Sequence, residues 1–185
     1  MSEVEERNRD VLLPTVEEQR NLTAVTEVLP HWNAHDVAGV LRFYDPEICW
    51  TNTPMDEVYR GHQQVGRYLR SLFAAFPDLT FAVGRRFARG DEVAEQWTMR
   101  GTHRGEYLGV PATGRVITIN GMSLVRMRDG RFLTDDFSYD AAGVMRQFGL
   151  LPSLAASQGP AARRVLRLVV GGRNTLTRLN RRSPR

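Results

Sequence analysis

Hydrophobic positions recur with a helical period in the first half of the chain and with a strand period in the second. Leu22, Val25, Leu29 and Trp32 fall on one face of a first predicted helix. Thr15 stands where an N-cap belongs, and Glu18 follows three residues later, as a capping box requires. Pro30 lies inside this pattern and is expected to kink or open the helix, because it lacks an N–H and its ring collides with the preceding turn. Asp36 is placed to cap a short second helix with Val37, Val40, Leu41 and Tyr44 on its buried side and Pro46 as its stop. Residues 47–51 then read as a strand, with Ile48, Trp50 and Asn52 on one face, and the polar residues 53–56 turn the chain back. Gly61 opens a third helix, in which Val65, Leu69, Leu72 and Phe76 keep helical spacing as far as Pro77.

From residue 79 onward the period is two. Residues 79–87 and 93–100 form one predicted hairpin around Arg89-Gly90-Asp91, and residues 116–127 and 132–139 a second around Asp129-Gly130. Helices followed by a meander of antiparallel strands predict an α+β domain with the helices covering one face of a curled sheet. With 185 residues, 42% of them hydrophobic, the chain fills one core. Residues 1–14 read as a charged, flexible lead and residues 15–152 as the domain. Residues 153–185 read as a basic, arginine-rich extension.

The charge changes the picture once it is located. The net charge is +4, but eight arginines and no acid lie beyond residue 160, which leaves 17 basic against 21 acidic residues before it and a net of −4. The domain is mildly acidic and carries no basic stripe with interleaved aromatics, so no nucleic-acid partner is expected. The extension has Val165, Leu166, Leu168 and Val169 among its arginines, the pattern of a short basic amphipathic helix that touches an acidic membrane surface or a partner; the plainer reading is a solubilising tail. The polar, acidic start MSEVEERNRD and the lack of a long apolar run lead us to expect a cytoplasmic protein. Cys49, the single cysteine, is expected to be a buried and inert thiol. There is no HExxH, no Cys/His pairing and no glycine-rich phosphate loop, so neither metal nor cofactor is expected.

The second half also carries a string of landmarks. They are Phe76-Pro77-Asp78-Leu79, Gly101-Thr102-His103-Arg104-Gly105, Gly109 to Arg115, Arg126, Asp129-Gly130, Asp140, and Arg146-Gln147-Phe148-Gly149. In this order and spacing they resemble the SnoaL-like polyketide cyclases of the NTF2-like superfamily, over about residues 21–152. The resemblance implies an NTF2-like (cystatin-like) cone: a curved, mostly antiparallel sheet and three helices around one largely apolar cavity, often in a homodimer. It also implies a hydrophobic small-molecule substrate, although fold alone does not fix activity.

The family's acid–base aspartate falls on Phe137 in this chain, and its Gln and His fall on Gly121 and Ser123. Strand alternation puts Leu133, Asp135, Phe137 and Tyr139 on one face, opposite Ile117, Ile119, Gly121, Ser123 and Val125 of the neighbouring strand. Asp135 therefore becomes the leading catalytic candidate, with Asp136 in its place if the register is shifted by one. His103, in a glycine-flanked turn, is the second candidate because it titrates near neutrality; the alternative is that its ring holds the turn. Trp32, Trp50, Trp97, Phe137 and Tyr139 are expected cavity walls, Asn52 and Tyr59 polar contacts near one end, and Ser123 a hydrogen-bonding group. The function expected is that of a cofactor-free cyclase or isomerase acting on a polyketide- or terpenoid-like molecule of secondary metabolism, by aldol-type closure or epoxide-opening ether formation. The rivals are a non-catalytic binding domain and an epoxide hydrolase.

Overall fold

The computed structural model describes residues 13–153 and Gly159, so the reading of the basic extension beyond them, and of the first twelve residues, lies outside the described residues. The first helix, α1 (Val16–Glu27), begins with the expected capping box: the Glu18 N–H donates to Thr15 Oγ1, and Glu18 Oε2 accepts from the Thr15 N–H. Its other oxygen, Oε1, accepts from the Gly90 N–H at 2.9 Å, while Asn21 Nδ2 donates to the Gly90 carbonyl at 3.1 Å. The helix is thereby fastened to the Arg89-Gly90-Asp91 turn. Pro30 opens the helix as expected, and the chain restarts as α2 (Leu29–Asn33) with the proline in its first turn, where a missing N–H costs nothing. Asp36 caps α3 (Val37–Arg42) by accepting from the Gly39 N–H at 2.9 Å.

β1 (Tyr44–Asn52) is longer than the predicted strand. Pro46 does not stop the helix; it sits inside β1 at a break in register between Tyr44 and Cys49, the kind of place where a strand tolerates a missing N–H. A 3₁₀ turn (Thr53–Met55) leads to β2 (Glu57–Arg60), a short edge strand that four residues of weak alternation did not reveal. Cys49 is half-buried, with Arg60 Nη1 3.2 Å from its sulfur, in contrast to the expected buried thiol.

Helix α4 (Gly61–Ala75) lies along β1 and turns Val65, Leu69 and Leu72 inward, each essentially without exposure. β3 (Thr80–Arg89), β4 (Glu92–Thr102), β5 (Val116–Arg128) and β6 (Arg131–Tyr139) are the two predicted hairpins. Asp129 and Gly130 both have positive φ, 52° and 75°, the backbone that a two-residue turn between twisted strands needs. One curved six-stranded sheet results, in the order β2-β1-β6-β5-β4-β3, antiparallel throughout except where β1 runs parallel to β6.

A register shift between Arg126 and Met127 corrects the predicted faces of β6. Thr134 pairs with Arg126 and Phe132 with Met127, so Leu133 is the extra residue of a bulge and Phe132 turns inward beside Asp135.

The fold divides into two units at Val144 and Met145. The first holds the sheet and the helices just described. A last helix, α5 (Ala141–Phe148), starts with Asp140 Oδ1 accepting from the Gly143 N–H at 2.8 Å, and was not predicted. In the second unit the Leu150 and Leu151 N–H groups donate back to the Met145 carbonyl and the chain leaves the helix. No helix among the described residues is long and apolar enough to cross a membrane.

Candidate active site

On the inner face of the sheet β4, β5 and β6 lie side by side, and each contributes a polar group to an otherwise apolar surface. Glu95 on β4 pairs with Ser123 on β5, and Ser123 in turn with Phe137 on β6. Asp135 lies one inward position back along β6, opposite Val125. These residues line a cavity with about 620 Å³ of non-atom space, the open solvent at its mouth included. The helical side is closed by Val28, Trp32, Tyr68 and Leu72.

Asp135 is 6% exposed and Glu95 8%. Asp135 Oδ2 accepts a hydrogen bond from Trp50 Nε1 at 2.7 Å, whereas its Oδ1 is buried with no hydrogen-bond partner. Burial in apolar surroundings disfavours the charged carboxylate and raises its pKa from the ordinary 3.8 to about 6, with the Trp50 and Ser123 side chains offsetting part of the effect. Glu95 is pushed further, from 4.5 to about 7, first by burial and then by the charge of Asp135; Arg86, 3.9 Å from Glu95 Oε2, counters this only in part. Asp135 therefore ionises first and Glu95 second, and between the two steps the pair holds one proton.

Gly121 explains why the position that matches the family's Gln is bare. A Cβ placed there would lie 2.2 Å from the Trp97 ring, because Trp97 pairs with Gly121 across the strands and lays its indole over it. The same indole donates through Nε1 to Ser123 Oγ at 3.0 Å. Ser123, Gly121 and Trp97 form one packed unit, and the family's polar pair is replaced by an aromatic floor with a single hydroxyl. Phe137, in place of the family's aspartate, packs its ring 5.0 Å from Trp50.

Of the residues singled out from sequence, Trp32, Trp50, Trp97, Ser123, Asp135, Phe137 and Tyr139 all line this cavity, and Asp136 is exposed on the other face. His103 does not line it. The ring is fully buried beneath the loop after β4, stacked 5.2 Å from Phe76, with Nδ1 3.1 Å from Thr113 Oγ1 and accepting from the Thr113 N–H at 3.3 Å. Its backbone bonds to Arg115 and Gly114 at 2.9 Å each, so it ties the two ends of the loop together. Burial lowers its pKa, which keeps the ring neutral. The expected Asp135–His103 pair is therefore not brought together.

Asn52 and Tyr59 also stand off the wall: both bond to Glu57 Oε2, Asn52 Nδ2 at 3.1 Å and the Tyr59 hydroxyl at 2.7 Å. Glu95, Tyr44, Tyr68 and Tyr107 are cavity residues that sequence reasoning missed. A signal existed for Glu95, which alternates with Val93 and Trp97 and so sits as an acid on an apolar face. Among the described residues no cluster of His, Cys, Asp or Glu is arranged to hold a metal ion.

Comparison with known proteins agrees with this architecture. A family model described as SnoaL-like polyketide cyclase matches residues 22–148. No curated protein matches the chain. Among solved structures, AclR from Streptomyces galilaeus, named as a candidate hydroxylase, is 24% identical with a TM-score of 0.65 over 73% of this chain and 99% of that one. IdmH from Streptomyces antibioticus, named as a candidate polyketide cyclase, is 24% identical with a TM-score of 0.61 over 70% and 98%. A protein from Catenulispora acidiphila described as having a ketosteroid isomerase-like fold, solved with trimethylamine, is 16% identical with a TM-score of 0.60 over 69% and 93%. These likenesses establish the fold.

Proposed function

We propose that this chain, which belongs to the SnoaL-like polyketide cyclase family, is a cofactor-free acid–base enzyme that closes a ring in a hydrophobic, oxygen-bearing small molecule of polyketide or terpenoid type. The observation that carries this reading is the pair of buried carboxylates in one aromatic cavity, each with an oxygen that has no hydrogen-bond partner. Two titratable groups whose environments separate their pKa values divide the work of base and acid between them.

Asp135, the first to ionise, is the base, and Glu95, still protonated, is the acid. In an aldol-type closure Asp135 Oδ1 takes a proton from a carbon beside a carbonyl. The resulting enolate carbon attacks a second carbonyl carbon of the same molecule, and Glu95 gives its proton to the alkoxide oxygen. In an ether-forming closure Asp135 takes a hydroxyl proton, the oxygen opens an epoxide, and Glu95 protonates the departing epoxide oxygen. Either way the proton left on Asp135 must return to Glu95. Ser123, which faces Glu95 across the strands and whose side chain lowers the pKa of Asp135, stands on that route. The aromatic walls exclude water and so favour ring closure over hydrolysis.

The rival reading, a binding domain that has lost its catalytic groups, draws on the replacements at Gly121, Ser123 and Phe137. A carboxylate pair inside the cavity supplies the chemistry those replacements removed, from positions two residues back on β6 and across on β4. The test is product analysis with linear poly-ketone and epoxy-alcohol substrates in isotopic water. A cyclised product without solvent oxygen, lost in Asp135→Asn, supports the proposal; a diol that carries solvent oxygen identifies an epoxide hydrolase. Binding without turnover, unaffected by Asp135→Asn, leaves the binding domain.

A further inference from the structure

The cavity has two polar ends, and the carboxylate pair occupies one of them. Asp135, Phe137 and Tyr139 succeed one another on the inward face of β6, so a strand rise of about 3.3 Å per residue puts roughly 13 Å between the Cα atoms of Asp135 and Tyr139. At the far end three phenols that line the cavity converge. The hydroxyls of Tyr68, on α4, and Tyr107, in the loop after β4, are 2.8 Å apart. Tyr139 is close enough to raise the pKa of both. Its own hydroxyl is buried beside Asn52 without reaching hydrogen-bond geometry, and Asn52 Oδ1 is likewise unpartnered.

Two phenols that share one hydrogen bond use one of their two protons, so the pair keeps an O–H to donate, and Tyr139 offers another. Burial raises the pKa of all three, which keeps them as donors and not phenolates. A buried hydroxyl without a partner forfeits free energy that a ligand oxygen restores. Between the two ends lie Trp50, which bonds Asp135 through its nitrogen and meets the Tyr68 ring edge-on at 5.2 Å, and Phe137. We infer that Tyr68, Tyr107 and Tyr139 form a second subsite that takes a carbonyl or hydroxyl oxygen of the substrate, and so selects elongated molecules with an oxygen on the order of 10 Å from the atom that meets Asp135.

This inference rests on the reading of the cavity as the substrate site, but its test needs no turnover. The three tryptophans of the chain all line the cavity, so their fluorescence reports occupancy. The probes are 4-hydroxybiphenyl and 4,4′-biphenol, which differ in a second oxygen at the far end of the same apolar body. The native protein is expected to bind the diol at least about threefold more tightly, the effect of one net hydrogen bond. In Tyr107→Phe/Tyr139→Phe the two probes should bind within about twofold of each other. Tyr139→Phe alone, which removes a hydroxyl with no partner to lose, is the second variant should the double one fail to fold, and it should shrink the preference in the same direction. Equal binding of both probes by the native protein, or a preference that survives in these variants, overturns the inference. Failure of the acid–base proposal would leave the binding ratio intact, and loss of the ratio would leave the pH dependence of turnover intact.

Discussion

Asp135→Asn should make the protein more stable, and by an amount that depends on pH in a defined way. Asp135 has its pKa raised from 3.8 to about 6 by burial. Between those values the folded state binds more protons than the unfolded state, so stability falls as pH rises through the window and stays reduced above it. At about 1.36 kcal/mol per pH unit, the penalty for keeping this carboxylate grows from less than about 1 kcal/mol at pH 4 to about 3 kcal/mol at pH 8. An asparagine of the same shape can still accept from Trp50 Nε1 through its Oδ1 and carries no charge to desolvate. For a chain of this length about 1 kcal/mol moves the melting temperature by roughly 2–4 °C, so the variant should melt about 1–2 °C higher at pH 4 and about 6–12 °C higher at pH 8. Thermal unfolding followed by circular dichroism across that range is the assay. A variant less stable than the native protein at pH 8, or one offset by the same amount at every pH, would refute the claim that an unpaired buried charge sits there.

Turnover should follow a bell in kcat/KM, rising as Asp135 loses its proton near pH 6 and falling as Glu95 loses its own near pH 7; Glu95→Gln should lower the rate by about 10²-fold or more and remove the alkaline limb, which a pH–rate series would reveal. Gly121→Ala forces a methyl into the Trp97 ring and should cost about 1–3 kcal/mol, read as a lower denaturation midpoint. In Gly121→Ala/Trp97→Phe the smaller ring should recover part of that loss. His103→Ala should also cost about 1–3 kcal/mol through the Thr113 and Phe76 contacts, while both limbs of the pH profile stay where they are; a lost limb would restore His103 to the chemistry.

The second half of the fold was readable because its signals are local. Asp129-Gly130 fixes a turn by backbone conformation alone, and the thirteen residues of β5 alternate inward and outward without a break. The same alternation placed Asp135 inward and Asp136 outward, since the bulge at Leu133 lies before both of them. It failed for Phe132, on the other side of that bulge, because one extra residue inverts every face behind it. Nor does β2 follow from its own four residues; it exists because β1 offers an edge to pair with.

The site was legible one residue at a time but not as a pair. Glu95 and Asp135 lie forty residues apart on strands that flank β5, and nothing in either segment announces the other. Meeting in one cavity is what separates their pKa values: burial raises each, and the charge of Asp135 then raises Glu95 further. His103 shows the converse. A histidine between glycines in a turn invites a catalytic reading, yet the landmark residues around it, Phe76, Thr113 and Arg115, are the ones that bury and hold it. The landmarks around His103 therefore report on the closure of a loop, whereas Ser123 and Phe137, which depart from the pattern the resemblance implies, line the cavity, and Gly121 lies beneath the Trp97 ring. Trp97 links these departures physically: its indole needs the bare Gly121 and in turn orients Ser123 beside Asp135. Gly121→Gln by itself should therefore displace the Trp97 indole and break its bond to Ser123, seen as a shift in tryptophan fluorescence and a lower denaturation midpoint.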